Sequence, residues 1–215
     1  MKELSLDAIE LIVKAMADTA VANERYLSDL DGVVGDADFG VSLANGFRVV
    51  LNQWSSIDRS SIGSFLIKVS TIIMNNVGGV SGPIWGTAFM RAGVKAKDKA
   101  SITLVDLEAM LRSAIEGIMA LGGAKLGDKT LLDAIVPATD KIGEWAHAKP
   151  DDCINAFQVA ADAATKMIES TRNWVAKRGR QSYTGERSKG TLDPGIVAVA
   201  IMWQAAAKVL KETYQ

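Results

Sequence analysis

One cysteine, one histidine and a net charge of −1 in 215 residues already exclude several kinds of protein. Cys153 stands alone, so no disulfide framework exists within the chain, and a reducing, cytoplasmic setting is expected. With His147 as the only histidine, no Ser–His–Asp set and no zinc-type Cys/His cluster is visible. His147 falls near the C-terminal end of a helical segment, where a structural role is expected. The near-balance of charge argues against a general binder of nucleic acid or of membrane surfaces. No uncharged apolar run approaches membrane-spanning length. The opening MKELSLDAIELIVK has charges inside its apolar pattern, so it reads as an amphipathic helix and not as a signal peptide. No alternating strand run, repeat, long linker or low-complexity tract is present.

What is present is helix. Hydrophobic residues make up 48% of the chain, enough for a substantial core. Apolar residues recur at three- and four-residue spacing over 5–28, 40–54, 60–77, 83–97, 104–121, 130–148, 151–177 and 195–213. Thr103 with Asp106 has the spacing of a capping box. Asp193 before Pro194 reads as an N-cap followed by proline at the first helical position. Gly179, after Lys177 and Arg178, reads as a C-terminal helix stop. The expectation is one all-α domain over 1–215, an eight-helix antiparallel up-and-down bundle. In that topology alternate loops share an end. The loops 29–40, 78–83, 122–130 and 178–194 would then meet, and they hold most of the unusual residues.

Each loop has a chemistry. DLDGVVGDADFG gathers Asp31, Asp36 and Asp38 between glycines, as a Mg²⁺ site bridging to phosphates would. It is not an EF-hand, because positions three, five and twelve from Asp31 are Val33, Gly35 and Ser42. Composition alone leaves a solvated acidic turn equally open. VGGVSGP offers backbone amides and Ser81 to a phosphate ahead of a helix start; a plain turn is the alternative. GGAKLGDKT nearly spells a P-loop, but Asp128 separates Gly127 from Lys129 and the loop follows a helix, so that reading is rejected. KRGRQSYTGERSKGTLDPG concentrates Arg178, Arg180, Arg187 and Lys189, side chains suited to phosphate, with a solvated basic loop as the alternative.

In this order and spacing GDADFG, VGGVSGPIWGT, GDKTLLDA and KRGRQSYTGERSKGTLDPG resemble the nucleotide-binding L subunit of bacterial dihydroxyacetone kinases, over nearly the whole chain. The resemblance implies an eight-helix barrel with ADP or ATP at one end and two Mg²⁺ ions held by Asp31, Asp36 and Asp38. It implies that Phe39, Gly40, Val41 and Ser42 line the phosphates with Gly79, Val80 and Ser81. It further implies nucleotide contacts from Gly122, Thr130 and Leu131, a pocket closed by Leu192, Asp193 and Pro194, and catalysis by Arg180 with Asp36. Phe39 departs from the polar or small residue common in relatives, and KRGR stands where some read RKGR.

In the same family a separate K subunit holds the ketone substrate, and in one branch a phosphohistidine M subunit recharges bound ADP. In the other branch ATP exchanges freely. Some relatives also bind transcription regulators, which keeps a nucleotide-loaded regulatory module in view. No nucleic-acid or membrane partner is implied. The nucleotide domain of a fatty-acid kinase is a further alternative, but it would bring a large additional C-terminal region.

Overall fold

A computed structural model describes all 215 residues. The chain starts with a two-residue strand, β1 (Leu4–Ser5), and enters α1 (Leu6–Ala22), where Ser5 Oγ accepts from the Ala8 amide at 3.3 Å. Ala8, Ile9, Ile12, Val13, Ala17 and Ala20 form its buried stripe. The helix breaks at Asn23, whose side-chain Nδ2 donates back to Thr19 O at 2.9 Å. Such local bonding by asparagine competes with helix continuation. Helix α2 (Glu24–Gly32) restarts at once, so the expected first segment is two helices laid end to end.

The remaining helices are α3 (Phe39–Asn52), α4 (Ile62–Asn76), α5 (Ser81–Ala96), α6 (Leu104–Gly122), α7 (Leu132–Ala148), α8 (Cys153–Ser170) and α9 (Pro194–Tyr214). A second short strand, β2 (Ser101–Ile102), precedes α6 and pairs antiparallel with β1. Two residues per strand are too few to show alternation in a sequence.

Helices α1 and α2 both pack on α3, each later helix packs on the next, and α9 packs back on α1, closing a ring. Counting α1 and α2 as one broken stave, this is the expected eight-stave up-and-down barrel. The capping box at Thr103 and Asp106 forms, and His147 lies in the last turn of α7.

One expected boundary is wrong. Helix α8 stops at Ser170 with Thr171 as its cap, not at Gly179. Gly179 does adopt φ +65°, but it introduces a 3₁₀ segment, Arg180–Ser188. The apolar Trp174, Val175 and Ala176 extend the helical periodicity past the true end.

Forty-five buried residues form one core cluster. Phe47 sits within it, edge-on to Trp85 and Phe89 at 6.3 Å centroid distance from each. Truncating such a ring typically costs about 3–5 kcal/mol. Nineteen apolar residues, among them Ile12, Met16, Trp85, Phe89, Met110 and Trp203, line a cavity of about 170 Å³. Helix α9 is long and apolar enough by length and composition to cross a membrane, but 61% of that apolar window is buried in the barrel.

Candidate functional site

Helices α2, α4, α6 and α8 all run toward the same end of the barrel. Their outgoing loops are therefore neighbours, and side chains join them. Arg180 Nε of the last loop meets Asp36 Oδ2 of the first at 2.9 Å. Arg178 Nε meets Asp128 Oδ2 of the third at 3.1 Å, and its Nη2 donates to Gly123 O at 2.6 Å. A Cβ on Gly78 would lie 3.1 Å from Ser42 Oγ, which places the second loop beside the start of α3. A Cβ on Gly195 would meet that of Leu131 at 3.4 Å, so α7 and α9 begin side by side.

The three aspartates converge as expected. A carboxylate oxygen from each of Asp31, Asp36 and Asp38 lies within 4.8 Å of the others. Asp31 is the buried member, and its Oδ2 accepts from the Asp38 and Phe39 amides at 3.2 and 3.3 Å. Burial pushes its pKa above the usual carboxylate value. The Phe39 amide opposes that shift, while the charges of Asp36 and Asp38 reinforce it. Like charges held this close favour a bound cation, and an all-oxygen set suits a hard one. The loop can turn this tightly because a Cβ on Gly35 would sit 2.3 Å from Asp31 Oδ1.

The other expected residues divide in two. Gly79 (φ +59°), Val80 and Ser81 form the exposed entry to α5, and the amides from Gly79 to Gly82 donate to no protein acceptor. Orphan amides at a helix start attract anions. Gly122 ends α6, and Thr130 and Leu131 close the third loop, with Leu192, Asp193 and Pro194 beside them at the start of α9. Gly40 has a second task, since a Cβ there would fall 2.0 Å from Glu24 O; its absence lets α3 pack on α2. The Val41 amide is already held by Ser28 Oγ at 3.2 Å. Phe39 is half-buried and packs against the core. Arg178 is committed to Asp128 and Gly123, which leaves Arg180 as the arginine at the aspartates.

Three organising residues escaped the sequence reading. Asp133 is buried and accepts from the Gly127 and Thr130 amides at 2.7 and 2.8 Å. Its spacing from Thr130 is that of a capping box, a signal the sequence does contain. Asp128 is buried as well. Burial would raise its pKa, but the Lys125 amide and Arg178 outweigh that and hold it below the usual value. Lys129 is enclosed entirely.

Asp193 caps α9, accepting from the Ile196 amide at 2.8 Å. Its dense surroundings push its pKa up to about 7 by desolvation, against the Ile196 and Gly195 amides and the charge of Lys129.

An all-α barrel with carboxylates, free amides and an arginine at one end defines a class, and comparison with known proteins gives it a family. The DAK2 domain model matches residues 33–208. The chain is 35% identical to the ADP-binding subunit DhaL of the PEP-dependent dihydroxyacetone kinase of Escherichia coli (strain K12), covering 91% of this chain and 92% of that one. It is 34% identical to the corresponding DhaL of dihydroxyacetone kinase 2 of Listeria innocua, covering 91% of each. Against the D-erythrulose kinase of Mycolicibacterium smegmatis identity is 31%, covering 90% of this chain and 33% of that one. The dihydroxyacetone kinase of C. freundii, solved with AMP-PNP and Mg²⁺, superposes with a TM-score of 0.71 at 25% identity, over 93% of this chain and 33% of that one. The chain belongs to the DAK2-domain family of kinase subunits.

Proposed function

We propose that this chain is the nucleotide-binding, phosphoryl-transferring subunit of a dihydroxyacetone or related ketose kinase. The observation behind this reading is the meeting, at one barrel end, of three carboxylates, orphan helix amides and Arg180. Phosphoryl transfer needs charge neutralisation and positioning more than covalent chemistry, and these groups supply both.

Asp31, Asp36 and Asp38 would hold Mg²⁺, two ions in this reading, and their crowded oxygen donors fit it. When bound, the metal neutralises the phosphate charge. The chain's own residues do the rest. The Gly79–Gly82 amides receive phosphate oxygens, with Ser81 as a further donor. Arg180 stands across from the same carboxylates, where it neutralises the transferring phosphoryl group. Gly122, Thr130, Leu131 and Leu192–Pro194 flank the nucleotide from the other side.

The ketone would be presented by a partner K subunit, and ADP kept in place would be recharged by a phosphohistidine M subunit. Two of the relatives, named as ADP-binding subunits of PEP-dependent kinases, support this arrangement. A second reading, with ATP exchanging freely, draws on the erythrulose kinase, whose name carries no PEP dependence.

The test is the nucleotide content of protein purified with Mg²⁺ retained, released by denaturation and counted. Near-stoichiometric ADP or ATP supports a retained coenzyme. An empty protein that binds Mg–ATP reversibly supports exchange. Protein that binds neither nucleotide refutes both.

A further inference from the structure

Lys129, the residue that Asp128 displaces from the P-loop register, turns away from solvent. It adopts φ +60° and is 1% exposed. Its Nζ donates to the carbonyls of Arg172 (3.1 Å), Trp174 (3.2 Å), Ser188 (2.7 Å) and Thr191 (2.9 Å), with Thr191 Oγ1 at 3.5 Å. An ammonium has three protons and accepts nothing, so this cage saturates it. No carboxylate bonds to it. A buried charge without partners is costly, and here carbonyl dipoles take the partner's place. Burial lowers its pKa from the ordinary lysine value, against the charge of Asp193. Four oxygens around one nitrogen suit a compact ammonium, not the planar fork of arginine.

The carbonyls come from two places. Arg172 and Trp174 lie where the chain leaves α8; Ser188 and Thr191 lie where it returns to α9. The ammonium therefore closes the base of the excursion 175–187. Backbone and side-chain bonds run across the same base: Gly190 N to Arg172 O at 2.9 Å, Arg172 Nε to Gly190 O at 3.1 Å, and Ala176 N to Ser188 Oγ at 2.9 Å. From the excursion, Arg180 reaches Asp36.

We infer that Lys129 is a positioning residue, whose caged ammonium closes the base of the 175–187 segment and so sets where Arg180 stands against the aspartates. Its consequence for turnover rests on the proposed kinase reading; its effect on the segment does not. A neutral side chain would leave the Trp174 and Thr191 carbonyls without a donor and four carbonyl dipoles facing one another, and their mutual repulsion would open the base.

Trypsin reads this directly on nucleotide-free protein, since Lys177, Arg178, Arg180 and Arg187 are its targets in the segment. Lys129→Met should keep the helical circular dichroism and cooperative melting, yet be cut in this segment at least about tenfold faster than wild type. Lys129→Ala should regain protection with n-propylammonium but not with propanol. Folded variants cut at the wild-type rate, or indifferent to the amine, would overturn the inference. Should the variants not fold, the wild type still answers. Its Lys129 ammonium protons should exchange slowly by NMR at neutral pH, and rapid exchange would refute the cage. In turnover, Lys129→Met should lower kcat with little change in nucleotide KM, and adding it to Arg180→Ala should cost nothing more. Independent, multiplying losses would refute the link to Arg180. Failure of ADP to bind wild type with Mg²⁺ would strike the kinase reading and leave the trypsin result standing.

Discussion

The two ends of the barrel start their helices differently. At the end away from the aspartates α1, α4, α6 and α8 begin, and each is capped by its own N-cap side chain: Ser5, Ser61, Thr103 and Asp152. At the aspartate end α3, α5, α7 and α9 begin, and only α9 has such a cap, from Asp193. Each missing cap costs about 1 kcal/mol of stability. One end is finished for folding by local caps; at the other, Asp31, Ser28 and Thr130 hold the Phe39, Val41 and Leu132 amides from a distance or from the loop, and α5 keeps its first amides free for an anion.

The sharpest way to break this contrast is at the carboxylates. Asp36→Asn should reduce Mg²⁺-dependent nucleotide retention by about a hundredfold or more, measured by calorimetry, with the helical signal unchanged. Retention at the wild-type level would remove the aspartates from the site. Next, Arg180→Ala should lower kcat by about 10²–10³-fold, the scale for losing one preorganised donor to transition-state charge, with a smaller change in nucleotide affinity. Equal losses in binding and turnover would make Arg180 a binder only.

At the opposite end the expected effect is stability alone. Thr103→Ala should cost about 1 kcal/mol in a urea titration and leave nucleotide content untouched. Altered nucleotide content would show that the ends are coupled.

The smallest effect is one of pH. The Asp193 pKa is raised to about 7 in the folded chain, above the ordinary carboxylate value. The folded state then holds a proton that the unfolded state has released. Stability should therefore fall as pH rises through the window ending near 7, and level off above it. Asp193→Asn keeps an oxygen for the Ile196 amide and should flatten that slope in nucleotide-free protein. Parallel urea-midpoint curves for the two proteins would contradict the assignment.

How far the sequence could be read follows the same division. Periodicity located every long helix, because burial against neighbours imposes the helical repeat. Thr103, Asp106, Asp193 and Pro194 were legible as caps because those signals are local. Asn23 was not legible as a break, since apolar residues continue on both sides of it. The end of α8 was overrun because Trp174, Val175 and Ala176 prolong the pattern through a segment that is not helix. At the site, the clustering of Asp31, Asp36 and Asp38 was legible from spacing. The commitment of Arg178 to Asp128 was not, because it joins residues fifty positions apart. Lys129 was hidden for a further reason. A charge in a glycine-rich loop reads as solvated, and only the folded chain brings four carbonyls to it.

The even number of staves has a practical consequence. The Cys153 amide donates to Met1 O at 3.0 Å and the Leu6 amide to Ala100 O at 3.0 Å, so the first residues rest among the loops of the capped end. Helix α9 runs back toward that end and finishes there. Both termini thus leave the molecule from the face opposite the aspartates. A tag or tether at either terminus would hold the protein to a surface with its aspartate end turned outward, and joining the two by a short linker would leave that end undisturbed.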